Sequence, residues 1–337
     1  MCRRPHPDLR SRSPAQSPAP GLQGRVSPVT HPLLVLTGPT ASGKSALALD
    51  FAERHGFEII SVDSMAIYRR MDIGTAKPSL EEQARVRHHG IDLVEPSEGY
   101  DSERFRSYVE QLLRQGEAEG RRFLLVGGTA LWLMALLFGY FDGPGSDPEL
   151  RKRLESEEAA EPGCLHARLQ QVDPESAQRI HHRNVKRIVR ALEVFESTGT
   201  PISTLQTQFE EPKPRRPFIA ARIDIDREQL KRRVARRIEE MFAAGFVDEV
   251  RSILAEGGFG PTAKHAIGYK EVLRFLEGDL DAEELRFRVR SSTNRFVRRQ
   301  HNWFRRMPGI RRLATDGLSS EEQLAALEAL FAGEQDG

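Results

Sequence analysis

The stretch Leu33-Leu34-Val35-Leu36-Thr37-Gly38-Pro39-Thr40-Ala41-Ser42-Gly43-Lys44-Ser45 decides the fold. Its first five residues read as a short buried strand that Gly38 ends, and residues 46–55, with Leu47 and Phe51 four apart, continue as a helix. Between them, Gly38 to Ser45 match G-x-x-x-x-G-K-[ST] at the strand-to-helix junction that this motif requires. Backbone N–H groups of such a loop and the positive helix N-terminus bind phosphate oxygens. Lys44 adds a point charge and Ser45 a hydroxyl suited to Mg²⁺. The loop by itself does not choose between a diphosphate and a triphosphate.

Outward from this loop, residues 57–62 read as a second strand ending at Asp63, and 91–94 as a weaker strand. A helix is expected over 102–116, then a buried strand over 123–126 that runs into Gly127-Gly128-Thr129 and a helix over 130–138. Strands alternating with helices imply a parallel sheet with ligands at the carboxyl ends of its strands. Asp63 and Thr129 should therefore share an edge with the phosphate loop. Asp63 could act as a base, reach a metal or, followed by Ser64, cap a helix; Thr129 could meet a ligand oxygen or cap its own helix. Beyond Gly143-Pro144-Gly145 the chain changes to helical segments near 148–156, 175–180 and 185–196, closed by Thr198-Gly199-Thr200-Pro201. This looks like a helical insertion. A strand over 218–225 returns to the sheet, the next helix stripes Leu230, Val234, Ile238 and Met241 on one face, and a long helix is expected over 281–304.

The chain has 337 residues, 50 basic against 49 acidic. Its longest nearly unbroken apolar run, residues 130–141, is 12 residues long, against the ~18 that span a bilayer, so no membrane role is expected. Cys2 and Cys164 are too few for a disulfide framework, which points to a reducing, cytoplasmic setting. Residues 1–31 carry five arginines, proline-rich sequence and no apolar periodicity or secretory core, and are expected to be a disordered leader. Between residues 286 and 312 there are ten arginines and no acidic residue, interleaved with Phe287, Phe296, Trp303 and Phe304. With Val185-Lys186-Arg187-Ile188-Val189-Arg190, two basic helices would frame the phosphate loop. They suit a polyanion, or they are solvated charged faces. The pairs His88-His89 and His181-His182 lack metal-site spacing. On these residues alone, transfer to a nucleic acid and an ATP-dependent small-molecule kinase with Asp63 as base stand side by side. A prenyltransferase acting on free adenine nucleotides and a nucleotide-gated RNA-binding module are further readings.

Seven ordered blocks go beyond a phosphate loop. They are the loop with its Pro39-Thr40-Ala41-Ser42 filling; Ser61-Val62-Asp63-Ser64 with Tyr68; Met71-Asp72-Ile73-Gly74-Thr75-Ala76-Lys77-Pro78; Val126-Gly127-Gly128-Thr129; Arg190-Ala191-Leu192-Glu193-Val194; Ile267-Gly268-Tyr269-Lys270-Glu271; and Arg299-Gln300 followed by Trp303-Phe304-Arg305. From about residue 33 to 306 the chain closely resembles the tRNA dimethylallyltransferases, the tRNA isopentenyl transferases, in their bacterial form. It departs in reading His181-His182-Arg183-Asn184 before the basic helix of the insertion and Asn302 before the tryptophan.

The resemblance implies an α/β, P-loop NTPase-like parallel-sheet core over 32–142 and 217–312. It also implies a helical, tRNA-binding insertion over 143–216, C-terminal helices and a tail over 313–337. The implied reaction moves a dimethylallyl group from dimethylallyl diphosphate to N6 of adenosine 37, in the anticodon stem-loop of tRNA. Gly38, Pro39, Thr40, Ala41, Ser42, Gly43, Lys44 and Ser45 would hold the diphosphate, with Mg²⁺ on the Ser45 hydroxyl. Asp63 would be the general base and Thr129 would contact the reacting site. Asp63, Ser64, Met65, Ala66, Arg151, Lys186, Arg187, Arg190, Ile267, Gly268, Tyr269, Lys270, Arg298 and Arg299 fall on tRNA-facing positions, and Arg237 on a possible diphosphate contact. A monomer is implied.

Overall fold

Four largely apolar runs, one histidine pair and one arginine-rich run form, among the described residues, a six-stranded sheet in the order β3-β2-β4-β1-β5-β6. The computed structural model describes residues 31–139, 144–145, 147–205 and 213–333, so nearly all of the expected leader and parts of the expected insertion lie outside the described residues. The strands are β1 (Leu33–Thr37), β2 (Glu58–Val62), β3 (His88–His89), β4 (Phe123–Gly127), β5 (Phe218–Asp224) and β6 (Ile310–Ala314). Every pairing is parallel, with β1 between β4 and β5 in registers such as Leu36↔Val126 and Leu36↔Ala221. The carboxyl ends of β1, β2 and β4 therefore lie side by side. That edge carries the phosphate loop, Asp63 and Gly127-Gly128-Thr129.

Among the described residues fourteen α-helices follow in chain order: α1 (Lys44–His55), α2 (Leu80–Arg85), α3 (Ser102–Glu119), α4 (Ala130–Phe138), α5 (Pro148–Ala160), α6 (Cys164–Val172), α7 (Pro174–Arg179), α8 (Val185–Thr198), α9 (Ile202–Leu205), α10 (Arg227–Ala243), α11 (Phe246–Ala255), α12 (Tyr269–Leu276), α13 (Ala282–Arg306) and α14 (Ser320–Ala332). Alternate residues of the central strands face opposite ways, so Val35 and Leu125 join one core with Phe105, Leu133, Val234 and Phe304, while Leu36 and Leu124 join a second with Phe51, Leu327 and Phe331. Helices α5 to α9 close over a third core of Leu154, Leu165, Leu169, Ile188 and Leu192. None of the helices among the described residues is long and apolar enough to cross a membrane.

Two expectations need correction. The segment expected as a tail after Arg312 belongs to the core. Residues Ile310–Ala314 pair with β5, and α14, opened by a Ser319/Glu322 capping box, sets Phe331 against Phe51 with ring centroids 5.2 Å apart. An edge strand needs only Ile310 and Leu313 facing inward, so Arg311 and Arg312 hide its pattern. The weak strand expected over 91–94 is displaced: the pairing residues are His88 and His89, and Val94 makes only an isolated bridge to Tyr68. His89 is bonded to Glu58 at 2.6 Å, a satisfied core residue and not a ligand.

Candidate active site

Backbone geometry makes the phosphate loop. Gly43 (φ 93°) and Ala41 (φ 63°) lie in the left-handed region, which turns successive N–H groups toward one side. Thr37 Oγ1 donates to the Gly127 carbonyl at 2.7 Å and ties the start of the loop to β4. A Cβ on Gly127 would sit 2.1 Å from the Val62 carbonyl, so β2 and β4 approach this closely only over a glycine.

The sequence left three readings for Asp63, as a base, a metal ligand or a cap, and the structure shows it capping a turn and not a helix. Asp63 Oδ1 accepts the Met65 and Ala66 N–H groups at 2.8 and 3.3 Å, capping the tight turn that follows β2. Oδ2 accepts no hydrogen bond from the described residues, and the side chain lines a cavity of about 310 Å³. Thr129 begins α4 without capping it; its Oγ1 instead accepts the Ser64 N–H at 3.1 Å across the β2/β4 edge. The same cavity is lined by Thr40 of the phosphate loop and, from α10, by Arg237 and the apolar stripe Val234, Ile238 and Met241. Phosphate loop, carboxylate and hydroxyl therefore line one space that also has apolar lining.

The electrostatics are those of a site for an anion. Lys44 Nζ folds back onto the Pro39 carbonyl at 3.3 Å, and burial, together with the nearby Arg237 guanidinium, lowers its pKa to about 8, against an opposing pull from Asp63. Arg237, also lowered by burial, donates to the Thr75 carbonyl at 3.1 Å. Arg233, one helical turn earlier, donates to the Ser42 carbonyl at 3.2 Å. Sequence reading singled out Arg237 and passed over Arg233. The i, i+4 spacing that puts both guanidinium groups on one side of α10 was the available signal.

Glu249 was also passed over. Its carboxylate accepts the Asp72, Ile73 and Gly74 N–H groups and the Tyr269 hydroxyl at 2.6–3.2 Å, holding the loop whose Thr75 carbonyl receives Arg237. Burial and Glu249 push the Tyr269 phenol well above its usual range. Lys77 fixes the other limb of this loop through the Tyr68 carbonyl, Asp72 and Asp92. Glu249→Ala should remove an acceptor shared by four donors. We expect about 2–4 kcal/mol of destabilisation, read as a lower urea midpoint at unchanged slope.

The tRNA-facing candidates separate into three groups. Lys186, Arg187, Lys270, Arg298 and Arg299 are exposed, with Ser64, Met65 and Ile267 partly so. Lys186 of α8, Lys264 and Lys270 all act on His265, whose pKa is lowered first by burial and then by these charges; His265, Ile267 and Arg299 also line the cavity. Ala66, Gly268 and Tyr269 are buried framework. Arg151 and Arg190 both bond Glu193, a fully buried carboxylate that also accepts the Asp147 N–H. Arg151 therefore braces α5 against α8, while Arg190 pairs with Glu193 within α8 and donates to the Pro144 carbonyl.

Among the described residues no group of three or more His, Cys, Asp or Glu side chains is arranged to hold a metal. The Ser45 hydroxyl and Asp63 lie together beside the phosphate loop, on a small cavity next to Lys44. This sparse donor set fits Mg²⁺, which keeps several waters and takes much of its coordination from substrate phosphates.

The model of the IPP transferase family matches residues 66–307. A tRNA dimethylallyltransferase of Pelotomaculum thermopropionicum is 41% identical over 298 residues, covering 88% of this chain and 94% of that protein. One from Symbiobacterium thermophilum is 47% identical over 278 residues, covering 82% and 86%. Among solved structures, the full-length tRNA isopentenylpyrophosphate transferase of Bacillus halodurans superposes with a TM-score of 0.67 at 31% identity, covering 90% of this chain and 96% of that one. A eukaryotic dimethylallyltransferase acting on tRNA gives a TM-score of 0.73 at 25% identity, covering 90% and 80%.

Proposed function

Because the chain belongs to the IPP transferase family, we propose that it acts as a tRNA dimethylallyltransferase, moving the dimethylallyl group of dimethylallyl diphosphate to N6 of adenosine 37 and releasing diphosphate. The observation that carries this reading at the level of the site is the single cavity that holds Thr40, Asp63 and Thr129 against the apolar face of α10. A prenyl diphosphate has the same division into a charged and an apolar part.

The diphosphate lies on backbone N–H groups of the phosphate loop between Ala41 and Ser45, with Lys44, Arg233 and Arg237 around it, and the five-carbon chain extends toward Ile238 and Met241. As the allylic carbon leaves oxygen, the diphosphate gains charge. Fixed N–H donors and the Lys44 ammonium stabilise that charge more strongly at the transition state than in the bound donor. The Ser45 hydroxyl would hold Mg²⁺, which when bound would add charge neutralisation at the diphosphate. The adenine is unstacked from its loop and enters between Asp63 and Thr129. As the N6–carbon bond forms, Asp63 takes the N6 proton, through the oxygen not used by the turn. Every group named comes from one chain, so a monomer suffices.

The RNA backbone lies along Lys186, Arg187 and Lys270 on one side of the mouth and along Arg298 and Arg299 on the other. Replacing Arg298 and Arg299 together by glutamine should weaken tRNA binding and make the plot of log affinity against log salt shallower by about 1.4–1.8. An unchanged slope in filter binding would make these arginines a solvated face.

A further inference from the structure

We propose that Gln300 is a positioning residue for the transfer reaction, setting the phosphate loop by tying it to the turn that carries Thr129. Gln300 is only 4% exposed, although Arg298 and Arg299 beside it on α13 face solvent. Its Oε1 accepts the Thr40 N–H and its Nε2 donates to the Gly128 carbonyl, both at 2.9 Å. The partners fix the orientation of the amide, because the Thr40 N–H requires the carbonyl end and the Gly128 carbonyl the amino end. One side chain thus spans the two halves of the site, 260 residues from one partner and 172 from the other.

The position of Thr40 makes this bond consequential. It lies in the middle of the loop, between the hinges at Gly38 and Gly43, so holding its amide fixes where the neighbouring N–H groups point. Arg233 holds the far limb through the Ser42 carbonyl. Gly128 carries the imprint of the same contact. A Cβ there would meet Gln300 Nε2 at 2.4 Å, so this glycine makes room for the amide. Since α13 also bears Arg298 and Arg299, the helix proposed to meet tRNA is the one that sets the loop. This inference rests on the reading that the loop holds a prenyl diphosphate.

The test compares wild type with Gln300→Met, Gln300→Glu, Gly128→Ala, Gln300→Ala and the Gly128→Ala/Gln300→Ala pair. The readouts are kcat and KM for dimethylallyl diphosphate, the Kd for tRNA and the calorimetric Kd for inorganic diphosphate. Gln300→Met fills the space without either bond. It should lower kcat/KM for the donor about 30–100-fold, weaken inorganic diphosphate binding and leave the tRNA Kd within about twofold, as expected for a misplacement of the order of 1 Å. Gln300→Glu keeps the acceptor for Thr40 and should lose less, about tenfold or under. Gly128→Ala should reproduce the loss seen with Gln300→Met, yet cost under about threefold once Gln300 is already alanine, because the two act through one contact. Unchanged donor constants and diphosphate affinity in Gln300→Met would overturn the proposal. So would a fall in tRNA affinity alone, or additive losses in the paired variant. Should Gln300→Met not fold, Gln300→Glu and Gly128→Ala carry the test. A wild type that transfers no prenyl group contradicts the functional reading instead, and the inorganic diphosphate titration then still decides the role of Gln300.

Discussion

Asp63→Asn is expected to lower single-turnover prenyl transfer by about 10²–10⁴-fold, close to 3–5 kcal/mol of transition-state stabilisation, with tRNA affinity unchanged. Asparagine is the informative substitution because it keeps the oxygen that caps the turn after β2, where Oδ1 receives the Met65 and Ala66 amides. Alanine would remove that cap as well, adding about 0.5–2 kcal/mol of structural loss to the chemical one. Removing the carboxylate also removes a negative charge near Lys44 and Arg237, so donor binding should hold or tighten. A slower chemical step with intact binding of both substrates is the signature of a lost base. Unchanged turnover would take Asp63 out of the proton transfer.

Lys44→Met should be comparably damaging, at about 10²–10³-fold in turnover, the usual effect of removing one fixed donor from a developing anion. Its pH behaviour gives a second check. In the free protein, burial and Arg237 hold the lysine at about 8, against a normal 10.5. A bound diphosphate favours the ammonium and raises that value, so above pH 8 binding must take up a proton and affinity must fall as pH rises. Below about pH 8 Lys44 is already charged and affinity should be flat, apart from ionisation of the diphosphate itself near pH ~6. Calorimetric titration with dimethylallyl diphosphate between pH 7 and 9.5 should show this decline in wild type and none in Lys44→Met. For folding the sign is opposite. The free folded protein binds fewer protons at Lys44 than the unfolded chain between pH 8 and 10.5, so this group makes stability rise with pH there.

How much of this was legible in the sequence follows from how local each feature is. The phosphate loop is legible because strand, glycines, lysine and helix are contiguous and their chemistry depends on short-range backbone geometry. Asp63 and Thr129 are legible because a parallel sheet brings strand ends to one edge whatever the details of packing. Gln300 is visible only as one letter of an ordered block; its partners Thr40 and Gly128 meet it through the packing of α13 on the sheet. Glu249 lies 175 residues from Gly74, and no local pattern marks an acidic residue of an amphipathic helix as the acceptor for a distant loop. Arg151 and Arg190 carry the charge that RNA binding asks for, and only the burial of Glu193 between α5 and α8 shows that this charge is already engaged. Residues Ile310–Ala314 fail as a strand signal because an edge strand can leave two adjacent arginines, Arg311 and Arg312, exposed and so break the apolar pattern.

The most direct test of the central claim is one incubation of the protein with Mg²⁺, labelled dimethylallyl diphosphate and unmodified tRNA with adenosine 37 present or replaced, run beside ATP and free AMP. Label should enter only the tRNA that carries adenosine 37, with release of one diphosphate per adenosine modified. Label on AMP, or ADP formed from ATP without prenyl transfer, would contradict the account and make Asp63 the base for a different acceptor.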